Sequence, residues 1–309
     1  MHACGHDIHV TTMIGVARAM AAMKDKWHGT LMLVGQPSEE TIDGAKAMMA
    51  DHLYERFGKP DMAIALHDWA IPSGLVAVVP GPALASSTSI DVVMRGVGSH
   101  GSSPEAGKDP IVMAAAFITQ VQTVVSRSVP PQQPAVVTVG DIHGGTKRNI
   151  IPDEVRMELT TRSYSEDVRQ TIIKGVERTA RGVAIAAGVP DDRMPVVTVL
   201  ENESTPPTIN DPALSARLQK LFVAKLGAEH VTQMKPVMGS EDFGIFGMSG
   251  QIPSVLFWLG ADDAVANAEA QKKGVARPAV HSALFAPVPE PTLRMGVTAM
   301  TDAALELLQ

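Results

Sequence analysis

The side chains able to do chemistry gather in four short segments. The chain opens on Met1-His2-Ala3-Cys4-Gly5-His6-Asp7-Ile8-His9, with its only cysteine at position 4. Gln36-Pro37-Ser38-Glu39-Glu40 follows one apolar run and Leu66-His67-Asp68 follows another. His281-Ser282 stands ahead of the last helical stretch. Thiolate, imidazole and carboxylate are the ligands that suit zinc and similar cations. A two-cation hydrolytic site needs a bridging ligand, several terminal N, O or S ligands and a carboxylate base. Cys4, His6, one of the two glutamates, His67 and His281 could supply the ligands. Adjacent side chains in extended backbone point opposite ways, so one glutamate can bind a cation while the other faces a water as general base. Each residue also has an ordinary explanation. A lone cysteine is most often a small buried hydrophobe, a lone histidine at a strand end a structural hydrogen-bonding group, and a Glu-Glu pair solvated surface. It is their joint placement that favours chemistry.

Two kinds of scaffold must position these segments. Residues 11–23 have helical spacing, with Met13, Val16, Met20 and Met23 on one side. Residues 30–34 and 62–66 are short apolar runs read as buried strands, with a helix at 44–57 between them. Strands separated by helices imply a parallel sheet covered on both faces. In such sheets, sites gather beyond the carboxyl ends of the strands. The middle of the chain reads differently. Strand signals at 89–95, 135–142, 154–162 and 194–200 enclose helices at 110–127 and 165–187, the second capped by Ser165 and stopped by Gly188. The order β-α-β-β-α-β is the split βαβ, ferredoxin-like signature. Pro80-Gly81-Pro82 and Thr205-Pro206-Pro207 bracket it as two hinges. The expected fold class is α/β: a mainly parallel sheet with helices on both faces, built from residues 1–83 and 205–309, with an inserted domain at 84–204. Beyond the insertion, 212–226 and 291–308 read as helices, 254–259 as a strand and 262–277 as a polar, Ala-rich surface excursion.

Composition narrows the function classes. The chain has 309 residues, 45% of them hydrophobic and 19% charged, with a formal net charge of −7. One cysteine excludes a disulfide scaffold, and the apolar content excludes a disordered chain. Mild acidity gives no basic footprint for nucleic acid. No uncharged apolar stretch reaches the roughly 18 residues that would span a membrane. No signal-peptide pattern is visible, which points to the cytoplasm for the chain as written.

The motifs resemble peptidase family M20, the aminoacylase and glutamate-carboxypeptidase metallopeptidases. The likeness is to the amidohydrolase branch that includes hippurate and auxin-conjugate hydrolases. Beyond the four segments it takes in Gly98-Ser99-His100-Gly101, His143-Gly144-Gly145-Thr146, Asn149-Ile150-Ile151-Pro152-Asp153, Gly239-Ser240-Glu241-Asp242-Phe243 and Phe285. The resemblance implies a metal-dependent amidohydrolase that cleaves N-acyl amino acids or small peptide-like amides. It implies two divalent ions, zinc or else manganese, nickel or cobalt. Cys4 would be the bridging thiolate, and His6, Glu40, His67 and His281 the other ligands. Glu39 would be the base that activates water and later protonates the leaving amine. The inserted domain would be a lid and dimerisation domain of a homodimer. His100 would reach the partner's site from it and stabilise the tetrahedral oxyanion. Asn149 would help bind substrate, and Arg148 or Arg162 would meet its carboxylate. Asp7, Glu241 and Asp242 would order the loops around the ligands. His9 reads as packing or support, and His2, His28, His52, His143 and His230 carry no role.

The sequence departs from that pattern in three places. Glu105 stands where the branch often has a histidine. Residues 261–280 are longer than usual before His281. Family members carry a helix and the first strands ahead of the Met-His-Ala-Cys motif. The chain is accordingly expected to be a truncated product or to begin at a misassigned Met1, and a signal peptide lost with that stretch would make it an exported protein. Two competing readings stand beside the first. One is a thiol hydrolase with Cys4 as nucleophile and His6 as base, although Cys-x-His spacing favours shared coordination over a nucleophile–base pair. The other is a non-catalytic fragment that keeps the ligands and the dimerising lid without an intact active domain.

Overall fold

The computed structural model describes residues 3–309, so His2 lies outside the described residues. The chain begins with helices α1 (His6–Ala22), α2 (Gly44–Ala50) and α3 (Leu53–Phe57), then strands β1 (Ala63–Pro72), β2 (Val76–Val78), β3 (Gly81–Leu84), β4 (Ser87–Arg95) and β5 (Ser99–His100). Helix α4 (Pro110–Thr123) leads to β6 (Ala135–Gly144), β7 (Ile150–Ile151) and β8 (Glu154–Ser163), and α5 (Glu166–Ala186) to β9 (Val196–Thr205) and β10 (Thr208–Asn210). Helix α6 (Pro212–Leu226), strand β11 (Ser254–Asp262), and helices α7 (Ala264–Lys273) and α8 (Pro289–Leu307) complete it.

β11 organises the ligand-bearing part. It is buried at every position, as its unbroken apolar run demands of a central strand. Its side chains alternate between two cores. Val255, Phe257 and Leu259 join Ile8, Leu218, Phe222 and Ala299 from α1, α6 and α8. Leu256 and Trp258 face the other way and join Ala45, Leu53, Phe243 and Phe246. Helical segments therefore cover both faces, as expected. The sheet itself differs from expectation. Its order is β1-β11-β2, with β1 parallel and β2 antiparallel to β11. The turn at Ser73-Gly74, where Gly74 takes φ 89°, reverses the chain between β1 and β2. The second strand must then run against its neighbour, and the mainly parallel sheet is corrected to a mixed one.

Three more expectations change. Residues 30–34 join no ladder among the described residues. Leu31 is drawn into the cluster of Val16, Met20 and Trp27, while Val34 packs against the Phe243 cluster, so this apolar run serves side-chain packing on two sides. The single helix expected at 44–57 breaks into α2 and α3 at His52, which adopts φ 61°. α1 starts at His6, earlier than the spacing predicted, and buries Ile8, Thr12, Val16 and Met20. His6 and His9 thus ride on its first turns.

In the middle of the chain the strand order is β6-β8-β4-β9, with every ladder antiparallel. α4 and α5 pack on this sheet through Met113, Phe117, Val121, Val168, Ile172 and Val176. The local signals act as their chemistry dictates. Asp109 accepts from the Ile111 amide at 2.8 Å, ahead of Pro110 in the first turn of α4. Ser165 accepts from the Val168 amide at 3.3 Å to open α5, and Gly188 (φ 68°) follows its end. Among the described residues no helix is long and apolar enough to cross a membrane.

Candidate metal centre

Four loops and one strand bring the ligand-type side chains together. β1 runs on to Pro72, so His67 and Asp68 sit within the strand rather than beyond its end. Both are buried, and His67 pairs in register with Trp258 of β11. Cys4 and His6 flank Gly5, which precedes α1 with φ 74°. A Cβ on Gly5 would lie 2.0 Å from Asp68 Oδ2, so only glycine allows the Cys4 loop to close over β1. Glu39 and Glu40 lie in a single 3-10 turn between Ser38 (φ 54°) and Ile42 (φ 59°). His281 also has positive φ, 68°, and its amide donates to the Ala3 carbonyl at 2.6 Å. Left-handed backbone at a β-branched residue such as Ile42 costs energy and marks strain held by its surroundings.

Two of the groups that the donor atoms form share Cys4. Sγ of Cys4 approaches nitrogens of His6 and His67, and it also approaches Glu40 and His281. Cys4 Sγ lies 3.7 Å from His67 Nε2. His67 Nδ1 donates to the Asp68 carbonyl at 2.6 Å, which leaves the Nε2 lone pair facing the sulfur. Burial, with His9 beside it, lowers the His67 pKa to about 3, so the ring is neutral and in its ligating form. Glu40 serves both sides, 3.9 Å from His6 Nε2 and 3.4 Å from His281 Nε2. Burial above all, then Glu40, Glu39 and Asp68, push the Cys4 thiol up. A thiolate here needs a cation beside it, and thiolate, imidazole and carboxylate together fit a borderline divalent ion. The same environment opposes the thiol-hydrolase reading, because a cysteine nucleophile needs its pKa lowered.

Three carboxylates stand next to this cluster. Glu39 Oε2 is 3.6 Å from His6 Nε2, and Glu39, Glu241 and Asp242 place oxygens close together. Asp242 is fully buried and accepts from Gln36 Nε2 at 2.5 Å and the Ala45 amide at 3.0 Å. Glu241 accepts from the Phe243 amide at 3.1 Å. Burial, then Asp242 and Glu40, raise Glu39 to about 7. Burial, then Glu39, raise Glu241 well above the carboxylate range. Like charges this close do not all ionise, so a proton is retained among them near neutral pH.

Of the residues named from the sequence, Cys4, His6, Glu39, Glu40, His67, His281, Glu241 and Asp242 are brought together. Asp7 is exposed on α1 next to His6, and its charge bears on Asp68. The buried place belongs instead to Asp68, whose amide donates to His9 Nε2 at 3.0 Å and whose Oδ1 lies 2.9 Å from the same atom. Adjacency to His67 was the available signal for Asp68, and spacing on the first turns of α1 was the signal for His9. His100, Arg148 and Asn149 are exposed on the β5–β7 side of the four-stranded unit. No hydrogen bond or ion pair among the described residues joins them to the cluster. His100 Nδ1 accepts from the Ser102 amide at 3.2 Å and lies 2.7 Å from its hydroxyl. Arg162 is half-buried and donates to Ser87 Oγ, Thr160 Oγ1 and the Thr161 carbonyl, all neutral groups.

Comparison with known proteins extends the picture. Residues 1–277 match peptidase family M20/M25/M40. An N-acetyldiaminopimelate deacetylase of Leuconostoc citreum (strain KM20) is 37% identical over 264 residues, 85% of this chain and 66% of that protein. A protein of the same name from Limosilactobacillus reuteri (strain DSM 20016) is 32% identical over 302 residues, 97% of this chain and 73% of that protein. A structure from methicillin-resistant Staphylococcus aureus, assigned to the aminohydrolases, superposes with TM-score 0.85 at 29% identity, covering 100% of this chain and 75% of that one. A Bacillus subtilis protein named as a dinuclear metal-binding peptidase of family M20 shares the fold, with TM-score 0.79 at 24% identity over 100% of this chain and 73% of that one. The chain spans about two thirds of the length of the curated relatives it matches, 66% and 63% of the first two. With the profile covering most of its residues and relatives above 30% identity over nearly all of it, the chain belongs to peptidase family M20/M25/M40.

Proposed function

We propose that this protein hydrolyses the amide bond of N-acyl amino acids at a two-cation centre. The observation that carries the reading is the sharing of Cys4 between two donor groups, Cys4–His6–His67 and Cys4–Glu40–His281, with Glu39 alongside. Divalent cations bound there would supply Lewis acidity toward the scissile carbonyl and toward water. The chain's own residues handle the protons. Glu39, raised to about 7, accepts a proton from water near neutral pH and returns it to the leaving nitrogen. Burial, then Asp242 and Glu40, keep Glu39 in that range, and Asp242 fixes the Glu39–Glu40 segment through Gln36 and Ala45. Asp68 and His9 hold the strand that presents His67.

Residues 84–204 serve in this reading as a ferredoxin-like lid and dimerisation domain, hinged to a catalytic domain of 1–83 and 205–309. Two features support it. The edge strand β6 is largely exposed from Thr138 to Gly144, and Ile111, Val112, Ile142 and Ile150 are exposed apolar side chains on the same unit. A second copy would cover them. His100 accepts at Nδ1, which leaves Nε2–H as an outward donor. Such a donor suits the oxyanion of the partner's substrate. Arg162, whose hydrogen-bond partners among the described residues are neutral, and Arg148 and Asn149 are the groups offered to a substrate carboxylate. The relatives named as N-acetyldiaminopimelate deacetylases make an N-acetyl amino dicarboxylic acid the first substrate to test.

The test is metal analysis of the purified chain together with hydrolysis of N-acetyldiaminopimelate and of acetyl, benzoyl and indole-acetyl amino acids. Two cations per chain with hydrolysis of a member of this panel is the expected result. A chain that takes up no cation and hydrolyses nothing sinks the proposal and leaves the non-catalytic reading in its place.

A further inference from the structure

The segment between β11 and His281 does more than cover the surface. β11 ends at Asp262, whose side chain is buried, a rare place for a carboxylate unless it is paired. Arg277 pairs with it in a fork. Nε lies 3.2 and 3.0 Å from the two oxygens, and Nη2 lies 2.7 Å from Oδ1. Asn267, also buried, donates to Oδ2 at 2.9 Å and accepts from Gln271 at 2.9 Å. The hydrogen bonds from Arg277 and Asn267 outweigh desolvation and hold the Asp262 pKa below its ordinary value. Between the partners α7 is capped by Asp263, which accepts from the Ala266 amide at 2.8 Å, and is followed by Gly274 at φ 63°. The expected surface excursion is thus a folded segment closed at its base by one bidentate ion pair. Such a pair fixes geometry as well as charge.

His281 follows Arg277 closely in the chain. Its imidazole is 66% exposed, so packing does not orient it. Its position comes from the backbone on either side. Upstream lies the Arg277 fork. At the residue itself, the amide is held by the Ala3 carbonyl. Downstream, Phe285 is buried and the Val288 amide donates to the Ala261 carbonyl at 2.9 Å, next to Asp262. The two ends of the loop therefore return to the same end of β11.

We propose that Arg277, clamped to Asp262, is a positioning residue for His281, and that it sets the affinity of the cation position formed by Cys4, Glu40 and His281 while leaving the position formed by Cys4, His6 and His67 unchanged. This rests on the two-cation reading above. The experiment titrates zinc and cobalt into the metal-free full chain, with calorimetry and metal analysis as readouts, for the wild type, Arg277→Ala, Arg277→Lys and His281→Ala. Loss of an outer partner of a metal ligand costs about 10–100-fold in metal affinity. Arg277 acts on His281 through the backbone and not by contact, so Arg277→Ala is expected to weaken one of two binding events by up to that factor, the same event that His281→Ala removes. Arg277→Lys, which keeps the charge but not the fork, is expected to fall between Ala and the wild type. Equal weakening of both events, or no change in either, overturns the proposal. A wild-type chain that binds fewer than two cations overturns the two-cation reading instead, and that result is visible before any variant is made.

Discussion

The four-stranded unit and the metal centre are built by opposite rules. In the unit, alternating strand residues and a helix stripe of Val168, Ile172 and Val176 fill one apolar core with Ile90, Met94, Phe117 and Met157. At the metal centre, backbone and side chains are held where they would not go alone. All six non-glycine residues with positive φ among those described, Ser38, Ile42, His52, Met248, Ser249 and His281, lie outside residues 84–204. Among the described residues the buried polar atoms Asp68 Oδ2 and Trp258 Nε1, on the strands that carry or flank His67, have no hydrogen-bond partner, and Ser99 Oγ is in the same position in the unit. Glu39, Glu241 and Asp68 all have raised pKa values there, each chiefly through burial. Local rules that largely agree make a stable core, and several local rules broken together mark a working site.

The contrast can be tested from either side. The largest effect is expected at the centre. Glu39→Gln should lower kcat by about 10²–10⁴-fold, the usual contribution of a general base, with cation content unchanged by metal analysis; undiminished turnover would remove Glu39 from the mechanism. In the unit, Phe117→Ala removes a fully buried ring and should cost about 3–5 kcal/mol of unfolding free energy. Denaturant melts should show that loss while cation affinity stays the same. A drop in cation affinity would mean that the two regions are not independent.

Ile42→Gly should separate stability from function. Glycine takes φ 59° without the left-handed penalty of about 1–2 kcal/mol, against an entropic cost of about 0.5–1 kcal/mol. The net expectation is a small rise in Tm with a lower kcat, because Glu39 and Glu40 lose their rigid bracket. A kcat that stays level would show that the strain plays no part in placing them. The smallest effect concerns acid. The folded pKa of Asp262 lies below its ordinary 3.8, so it contributes stability above that value and loses it as pH falls through the folded one. Asp262→Asn should therefore shallow the fall of Tm on the acid side, and an unchanged profile would mean that Arg277 does not favour the charged carboxylate.

Legibility followed the same divide. Helix α5 was visible because cap, period and stop signal agreed at Ser165 and Gly188, whereas α4 and α6 were read from their helical pattern and the structure adds the caps Asp109 and Asp211. Residues 30–34 misled because an apolar run shows that side chains will be buried, not that the backbone will pair. Asp68 went unassigned because its burial depends on Gly5 closing over it from another segment. Asp262–Arg277 was hidden for the same reason, since a salt bridge is a pairing in space.

The sequence by itself determined the donor types, their grouping into four segments and the regular elements around them, because these depend on residue chemistry and on spacing along a few turns. Tertiary structure decided that Cys4 belongs to two donor groups, that Glu39 rather than Glu40 lies against Glu241 and Asp242, and that β2 runs antiparallel. It also decided that His281 is held from the end of β11. Each of these depends on where distant segments meet. Burial and charge at such meetings act through space over a few ångströms, and spacing along the chain does not record them.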